Sequence, residues 1–169
     1  MNMPRRYLYT PSGLKRLKDR IARARADYKA VCDSNEDAAG SGDSSVWHDN
    51  FAYEENQRQM HQQAKRVRDL EGVLAAAEVV TPHELRLDRV TVGTWVSCQN
   101  DRDPKPRRFY IAGYDDGEPS LGRISYNSPM GRNLMGAVEG DVLEVFFAGR
   151  RTELEVLEVS TGPEPEEVQ

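Results

Sequence analysis

Residues 124–145 read ISYNSPMGRNLMGAVEGDVLEV, and this stretch combines two kinds of local structure. Ser128 suits the N-cap of a helix and Pro129 suits its first position, so a short helix is predicted over 128–137. The apolar run at 142–148 predicts a strand directly after it. The stretch therefore indicates a short helix set into a β-sheet.

Further strand patterns lie on both sides of this stretch. Apolar runs or alternating patterns bounded by turn residues predict strands at 90–98, 107–114, 121–127, 142–148 and 152–159. We therefore expect a small antiparallel β domain with one short helix over 85–160. The segment 161–169 is acidic, contains proline and is poor in apolar residues, which predicts disorder.

The N-terminal half has a helical period instead. Thr10 and Pro11 suit a helix start. Apolar residues then follow at spacings of three and four, namely Leu14, Leu17, Ile21, Ala24, Tyr28 and Val31. The pattern breaks at 40–42 and a second one ends before Pro82. This predicts an antiparallel coiled-coil hairpin over 1–81, and an α+β fold for the whole chain.

Charge is divided sharply along the hairpin. Residues 1–29 carry nine Lys and Arg against two Asp, whereas residues 30–57 carry seven carboxylates and no Lys or Arg. The bend of the hairpin, near 40–50, is therefore acidic. A solvated turn is the plain explanation, and an acidic tip that works inside a partner is the functional one.

Composition excludes several other classes. The chain has 169 residues, 38% hydrophobic content, a mean hydropathy of −0.73 and a net charge of −5. No apolar run approaches the ~20 residues that cross a bilayer, so no membrane contact and a cytoplasmic location are expected. Cys32 and Cys98 stand far apart in sequence and predict neither a metal site nor a disulfide framework.

The stretch at 124–145 resembles the signature of the bacterial Gre transcript-cleavage factors. The family reads approximately I-S-x-x-S-P-hydrophobic-small-x-x-L-hydrophobic-G, then G-D and a hydrophobic residue, and residues 124–142 follow it closely. The opening YLYTPSGLKRLKDRI at 7–21 is similar to the start of the family's first helix. DLEGVLAAAEVV at 69–80 is similar to the end of its second helix.

This resemblance implies a coiled-coil hairpin followed by an FKBP-like domain in a transcription elongation factor. The expected partner is RNA polymerase, contacted through Ser128, Pro129, Met130 and Gly131. The hairpin is expected to enter the secondary channel and contact the RNA 3′ end and DNA only indirectly. A monomer that is not an enzyme is expected, with no cofactor of its own beyond Mg2+ at the polymerase active centre.

The tip departs from the family pattern. The family reads G-D-x-x-E-N-A-E-Y, and residues 42–53 read GDSSVWHDNFAY. Asp43 fits the first acid, while Asp49, Asn50 and Tyr53 fit the E-N-x-x-Y portion with Asp in place of Glu. Asp43 and Asp49 are therefore the candidate acids that act on the shared Mg2+. Three extra residues between them lengthen the loop by up to ~10 Å.

This departure leaves several functions open. The two acids stimulate RNA cleavage by the polymerase, or the altered tip occupies the channel and inhibits or modulates transcription. Trp47, in the extra piece, either closes the tip by packing or stacks on a base. Met130 is either a polymerase anchor or core packing. A prolyl isomerase or a stand-alone metal-dependent hydrolase is the remote alternative.

Overall fold

The protein has helices in its N-terminal half and a mixed sheet in its C-terminal half. The computed structural model describes residues 6–40, 49–81, 87–100, 102–147 and 149–165. In chain order its elements are β1 (Tyr7–Tyr9), α1 (Pro11–Gly40), α2 (Asp49–Ala75), β2 (Ala77–Val79), β3 (Trp95–Asn100), β4 (Asp103–Ala112), β5 (Arg123–Ser125), α3 (Pro129–Leu134), β6 (Val142–Phe147) and β7 (Arg150–Ser160). The predicted α+β fold class is confirmed.

The chain divides into two compact units. Residues 1–16 and 77–169 form the first, which contains the sheets, and residues 17–76 form the second, which is helical. No described helix is both long enough and apolar enough to cross a membrane.

The helical unit pairs α1 and α2 in opposite directions. Arg25 bonds to Glu71 with its Nε 3.0 Å from Oε1, and Arg66 lies 3.8 Å from Asp27. Later residues of α1 thus meet earlier residues of α2, as an antiparallel pair requires. The predicted apolar seam is buried at three of its positions, Leu17, Ile21 and Ala24.

The start of α1 follows the sequence prediction. Pro11 is its first residue, and the Thr10 hydroxyl accepts a hydrogen bond of 3.0 Å from the Gly13 amide. This is how an N-cap satisfies an otherwise unpaired amide of the first turn. Just before it, β1 pairs with β2 in parallel, Tyr7 opposite Ala77. Strands of only three residues carry little periodic signal, and this pair was not predicted.

The larger sheet has the strand order β5-β4-β3-β7-β6. Its described pairs are antiparallel except β4–β5, which is parallel, with Tyr110 opposite Arg123. The expected all-antiparallel sheet is therefore corrected at this edge. The connection 113–122 contains a turn and a short 3₁₀ segment, Pro119–Leu121, and carries the chain back to the start of the pair. Side-chain alternation does not encode strand direction, so the parallel pairing was not predictable from the residue pattern.

The first strand of this sheet starts later than the predicted 90–98. β3 begins at Trp95, because Gly93 has a φ of 94° and the Thr94 amide donates 3.1 Å to the Thr91 carbonyl, which forms a turn. Val90 and Val92 still enter the core from this loop. Apolar pattern alone does not separate a buried loop from a strand.

One core holds the sheet domain together. Its buried members are Val90, Val92, Val96, Cys98, Phe109, Ile111, Leu134, Ala137, Val145, Leu154 and Val156. Leu134 brings α3 onto the same side of the sheet as these strand residues. The short helix is therefore fixed by packing, and this packing positions the residues that precede it.

The segment predicted to be disordered is described up to residue 165. The Trp95 indole Nε1–H donates a 3.0 Å hydrogen bond to the Pro163 carbonyl, and a Cβ on Gly162 would lie 3.3 Å from the same ring. Residues 161–165 therefore differ from the expected disorder. Residues 166–169 lie outside the described part of the chain.

Candidate functional site: the groove beside the short helix

The Ser-Pro turn is built as the sequence predicted. Ser128 is the N-cap of α3, in extended conformation, and its Oγ accepts a 3.0 Å hydrogen bond from the Gly131 amide. Pro129 occupies the first helical position, where its lack of an N–H has no consequence. This cap fixes where the helix begins and leaves Pro129 exposed at its start.

Gly131 lets the helix approach the neighbouring backbone. A Cβ at this position would lie 2.1 Å from the Ser125 carbonyl oxygen and 2.8 Å from Tyr126 Cα. No side chain fits there without moving the backbone. Gly131 is buried, so it positions its neighbours and presents little surface of its own.

A groove of about 540 Å³ lies beside α3. Its apolar lining includes Phe109, Pro119, Ile124 and Met130, and Arg107 stands among the lining residues. Met130 is half-buried and packs against the core, as the packing interpretation expects, and its role as a polymerase anchor stays a prediction. The groove is an apolar concavity with two cationic side chains, Arg107 and Arg123, and it is formed by one unit of the chain.

A rigid turn forms one wall of the groove. Asp115 has a φ of 48°, a conformation that non-glycine residues adopt rarely. The Asn127 side chain stabilises it, since its Oδ1 accepts from the Asp115 amide at 3.0 Å and its Nδ2 donates to Asp115 Oδ1 at 2.8 Å. Ser125 Oγ donates 2.8 Å to the Gly113 carbonyl on the same turn. The wall that contains Gly117 is thereby held in place.

A network of partly and largely buried charges holds this turn in place. The Arg16 guanidinium donates to both oxygens of Asp116 and to Glu164. Glu164 also accepts a 3.0 Å hydrogen bond from the Thr10 hydroxyl, and Arg123 donates 3.0 Å to the Asp116 carbonyl. The hydrogen bond to Asp116 raises the pKa of Arg16, so the guanidinium remains charged.

The same charges affect Tyr110. Its pKa is raised, first by burial of the phenol and next by the negative charge of Glu164. Sequence reasoning missed Glu164, which lies 148 residues from Arg16, and it also missed the groove residues Phe109 and Ile124. Their apolar positions in predicted strands were a signal for burial, but the concavity forms only when β4 and β5 pair in parallel.

The predicted tip residues are described only in part. Asp49 and Asn50 are the first two residues of α2, and Tyr53 follows one turn later with 56% of its surface exposed. Asp43 and Trp47 lie outside the described residues. The distance between the two candidate acids is therefore not part of the described geometry.

Metal-ligating side chains are present but not clustered in the described part of the chain. Among the described residues, no three His, Cys, Asp or Glu side chains are grouped so as to hold a metal ion. Cys98 is buried in the core, and burial raises the pKa of its thiol to about 11, which keeps it protonated and unreactive at neutral pH. Its role is packing.

Comparison with known proteins assigns both halves of the chain. Residues 7–79 match the family description "Transcription elongation factor, N-terminal", and residues 84–161 match "Transcription elongation factor, GreA/GreB, C-term". A hairpin of long helices and a sheet domain with a Ser-Pro helix are thus the two domains of a transcription elongation factor.

Individual relatives agree with this class. The transcription elongation factor GreA of Zymomonas mobilis is 36% identical over 133 residues, which are 79% of this chain and 82% of the relative. That of Magnetococcus marinus is 30% identical over 152 residues, 89% of this chain and 95% of the relative. The chain therefore belongs to the GreA/GreB family.

A solved structure also matches over nearly the whole length. The crystal structure of GreA factor homolog 1 from Thermus thermophilus covers 92% of this chain and 99% of its own, at 20% identity and a TM-score of 0.43. At that TM-score the match adds nothing to the assignment.

Proposed function

We propose that this chain binds RNA polymerase through the groove beside α3 and delivers the acidic tip of its hairpin to the polymerase active centre. One observation supports this more than any other: both domains of the elongation-factor family are matched, in the family's order, on one chain. Its partner places it in the cytoplasm, and it acts there as a monomer.

The docking proposal depends on the arrangement around α3. Pro129 and Met130 present apolar surface next to a concavity of about 540 Å³, while Ser128 and Gly131 determine their position. An apolar anchor in a preformed groove is the usual centre of a binding interface. The partner surface that fits is a convex apolar tip of the polymerase.

The chemical step belongs to the polymerase. We assign Asp43 and Asp49 as carboxylates that stabilise a weakly held Mg2+ there, with Asn50, Trp47 and Tyr53 supporting the tip. Carboxylate oxygen is the ligand type that Mg2+ prefers, and a second metal assists attack of water on a phosphodiester. The outcome is cleavage of the 3′ end of a backtracked RNA. Contact with the RNA end and with DNA is then confined to this site.

Inhibition of transcription is the second candidate, and the tip sequence favours it. Three extra residues separate Asp43 from Asp49, and Asp replaces the family's Glu. A displacement of about 1 Å at a reacting group can lower a rate on the order of 100-fold. A longer tip that still enters the channel would then block it without activating cleavage.

The deciding experiment uses a stalled, backtracked elongation complex with end-labelled RNA. Stimulation predicts shortened RNA that depends on the protein and is lost in Asp43→Asn and in Asp49→Asn. The matched control is Asp33→Asn, an exposed acid of α1 outside the tip, which should keep full activity. Slower extension with no cleavage product indicates the inhibitor, and no effect on a bound polymerase contradicts both.

Two further arms sharpen the result. Deleting residues 46–48 restores the family spacing between the acids, so it should raise cleavage if the longer loop misplaces them.

Omitting the polymerase tests whether the protein is an enzyme in its own right. Turnover of RNA or of a prolyl peptide under that condition would replace the elongation-factor proposal with a hydrolase or an isomerase.

A further inference from the structure

The strand β6 has an open edge. It is the last strand in the sheet order, and in the described part of the chain no strand pairs with its second edge. Val156 donates its amide to the Asp141 carbonyl at 2.8 Å, which sets the alternation of the β6–β7 ladder. By that alternation, the backbone groups of Val142, Glu144 and Phe146 point toward the open edge.

The same residues expose apolar side chains. Val142 and Phe146 are 61% and 63% exposed, with Glu144 between them on the outer face of the sheet. Natural edge strands are usually protected from pairing by charge, proline or a covering element. An edge with large apolar side chains and free backbone groups is suited to strand addition.

The outer face next to this edge is acidic. Glu144 lies directly opposite Glu153, and Val142 lies opposite Glu155 on the neighbouring strand. Like charges directly opposite each other destabilise a sheet. Arg151 lies 3.0 Å from Glu144 and offsets part of that repulsion, but the face keeps more carboxylates than cations along these positions.

A depression lies within this face. It measures about 230 Å³ and is lined by Gln99, Asn100, Val142, Glu153 and Glu155. Two carboxylates, two amides and one apolar side chain match a Lys or Arg side chain, which needs acceptors at its head and apolar contact along its stem. None of the described residues that line it is cationic.

We propose that the open edge of β6 binds an extended, basic segment of a partner protein as an added strand, with one Lys or Arg side chain in this depression. Backbone hydrogen bonds to the edge supply affinity, and the depression selects the basic residue. This surface shares no lining residue with the groove beside α3, so it stands independently of the docking proposed there.

A second copy of the chain fits the edge less well. Antiparallel pairing of two β6 strands over residues 142–146 matches their edge-facing backbone groups and places Glu144 opposite Glu144 of the other copy, which repels. A basic segment brings a cation to this acidic face instead. Charge therefore favours a basic partner over self-association.

The test is an NMR titration of the isotope-labelled full chain with the peptide acetyl-Thr-Val-Arg-Val-Thr-amide. Saturable shifts confined to β6, β7 and the depression are expected. The same peptide with Glu in place of Arg should not bind. Two further peptides carry N-methyl groups on alternate residues, one on the odd and one on the even positions. One of these two peptides should not bind, because it lacks the amides that face the edge.

Protein variants complete the test. Glu153→Gln combined with Glu155→Gln should weaken peptide binding at least about threefold, since each exposed ion pair contributes modestly. Glu139→Gln, an exposed acid outside the depression, should bind as the parent does. Equal binding of the Arg and Glu peptides, shifts elsewhere on the protein, or a dimer formed through β6 in sedimentation would each overturn the proposal.

Discussion

The guanidinium of Arg16 donates two parallel hydrogen bonds to the carboxylate of Asp116, at 2.7 and 2.6 Å. Such bidentate pairs are among the stronger polar interactions in proteins. Asp116 is 8% exposed, so loss of its partner leaves a nearly buried charge without compensation. This pair ties the beginning of α1 to the turn that walls the groove.

Arg16→Met is therefore expected to lower the free energy of unfolding by about 1–3 kcal/mol, less than for a fully buried pair because Arg16 is partly exposed. Urea denaturation followed by circular dichroism measures it. Arg25→Met removes a comparable but exposed pair with Glu71 and should cost about 0–1 kcal/mol. Equal losses in both variants would contradict the importance given to burial.

Gly131→Ala is expected to destabilise the sheet domain by about 1–3 kcal/mol or more, because its Cβ would meet the Ser125 carbonyl at 2.1 Å. Gly72→Ala is the matched control. Gly72 lies inside α2 with open space around its Cβ, so the same substitution should stabilise by about 0.5–1 kcal/mol. Thermal unfolding measures both stability changes. A loss at Gly131 together with a gain at Gly72 shows that the contact with the neighbouring backbone, and not helix propensity, decides the effect at Gly131.

The buried thiol of Cys98 is expected to make the fold less stable at alkaline pH. Burial raises the pKa of the thiol to about 11 from an ordinary value near 9, so the unfolded chain releases the proton first. Between those values the unfolded state binds fewer protons, and stability falls as pH rises, by ~2 kcal/mol across the window. Below pH 9 the contribution is fully present.

The measurement compares the parent and Cys98→Ala by urea denaturation at pH 8 and pH 11. The variant is less stable at pH 8 because it leaves a small cavity, but its stability should fall less with pH. Tyr110, whose pKa is also raised, contributes equally to both proteins and cancels in the difference. Parallel pH profiles would show that the thiol does not carry the effect.

Met130→Gln is expected to weaken association with RNA polymerase about tenfold, as loss of an apolar anchor at an interface centre does. Met135→Gln is the control. Its side chain is also half-buried against the same core but does not line the groove, so it should lose similar stability and keep its affinity. Surface-immobilised polymerase and a concentration series of each variant give the two affinities. If both variants weaken equally, the groove is not the docking surface.

Local chemistry made much of this fold predictable from sequence. Thr10 and Ser128 cap the helices that their flanking prolines begin, because a cap depends on residues within three positions of itself. The seam through Leu17 and Ile21 follows from a helical period sustained over many residues. These features are decided by neighbours in the chain.

Features that depend on distant residues were not predictable in the same way. The parallel pairing of Tyr110 with Arg123 depends on the path of a ten-residue connection, and the groove depends on that pairing. The residues around Glu164 have the composition of a disordered tail. Only the fold brings Glu164 within hydrogen-bond distance of Arg16. For the candidate tip, the sequence supplies residue types and spacing but not the geometry of the two acids.

The position of Glu164 has a consequence for gene variants of this protein. A stop codon at position 164 removes a segment that begins with the composition of an unstructured tail, so its loss is easily dismissed as harmless. It also deletes one of the two carboxylates that accept hydrogen bonds from Arg16 and leaves that guanidinium with Asp116. A frameshift that alters codon 164 therefore acts on the beginning of the first helix.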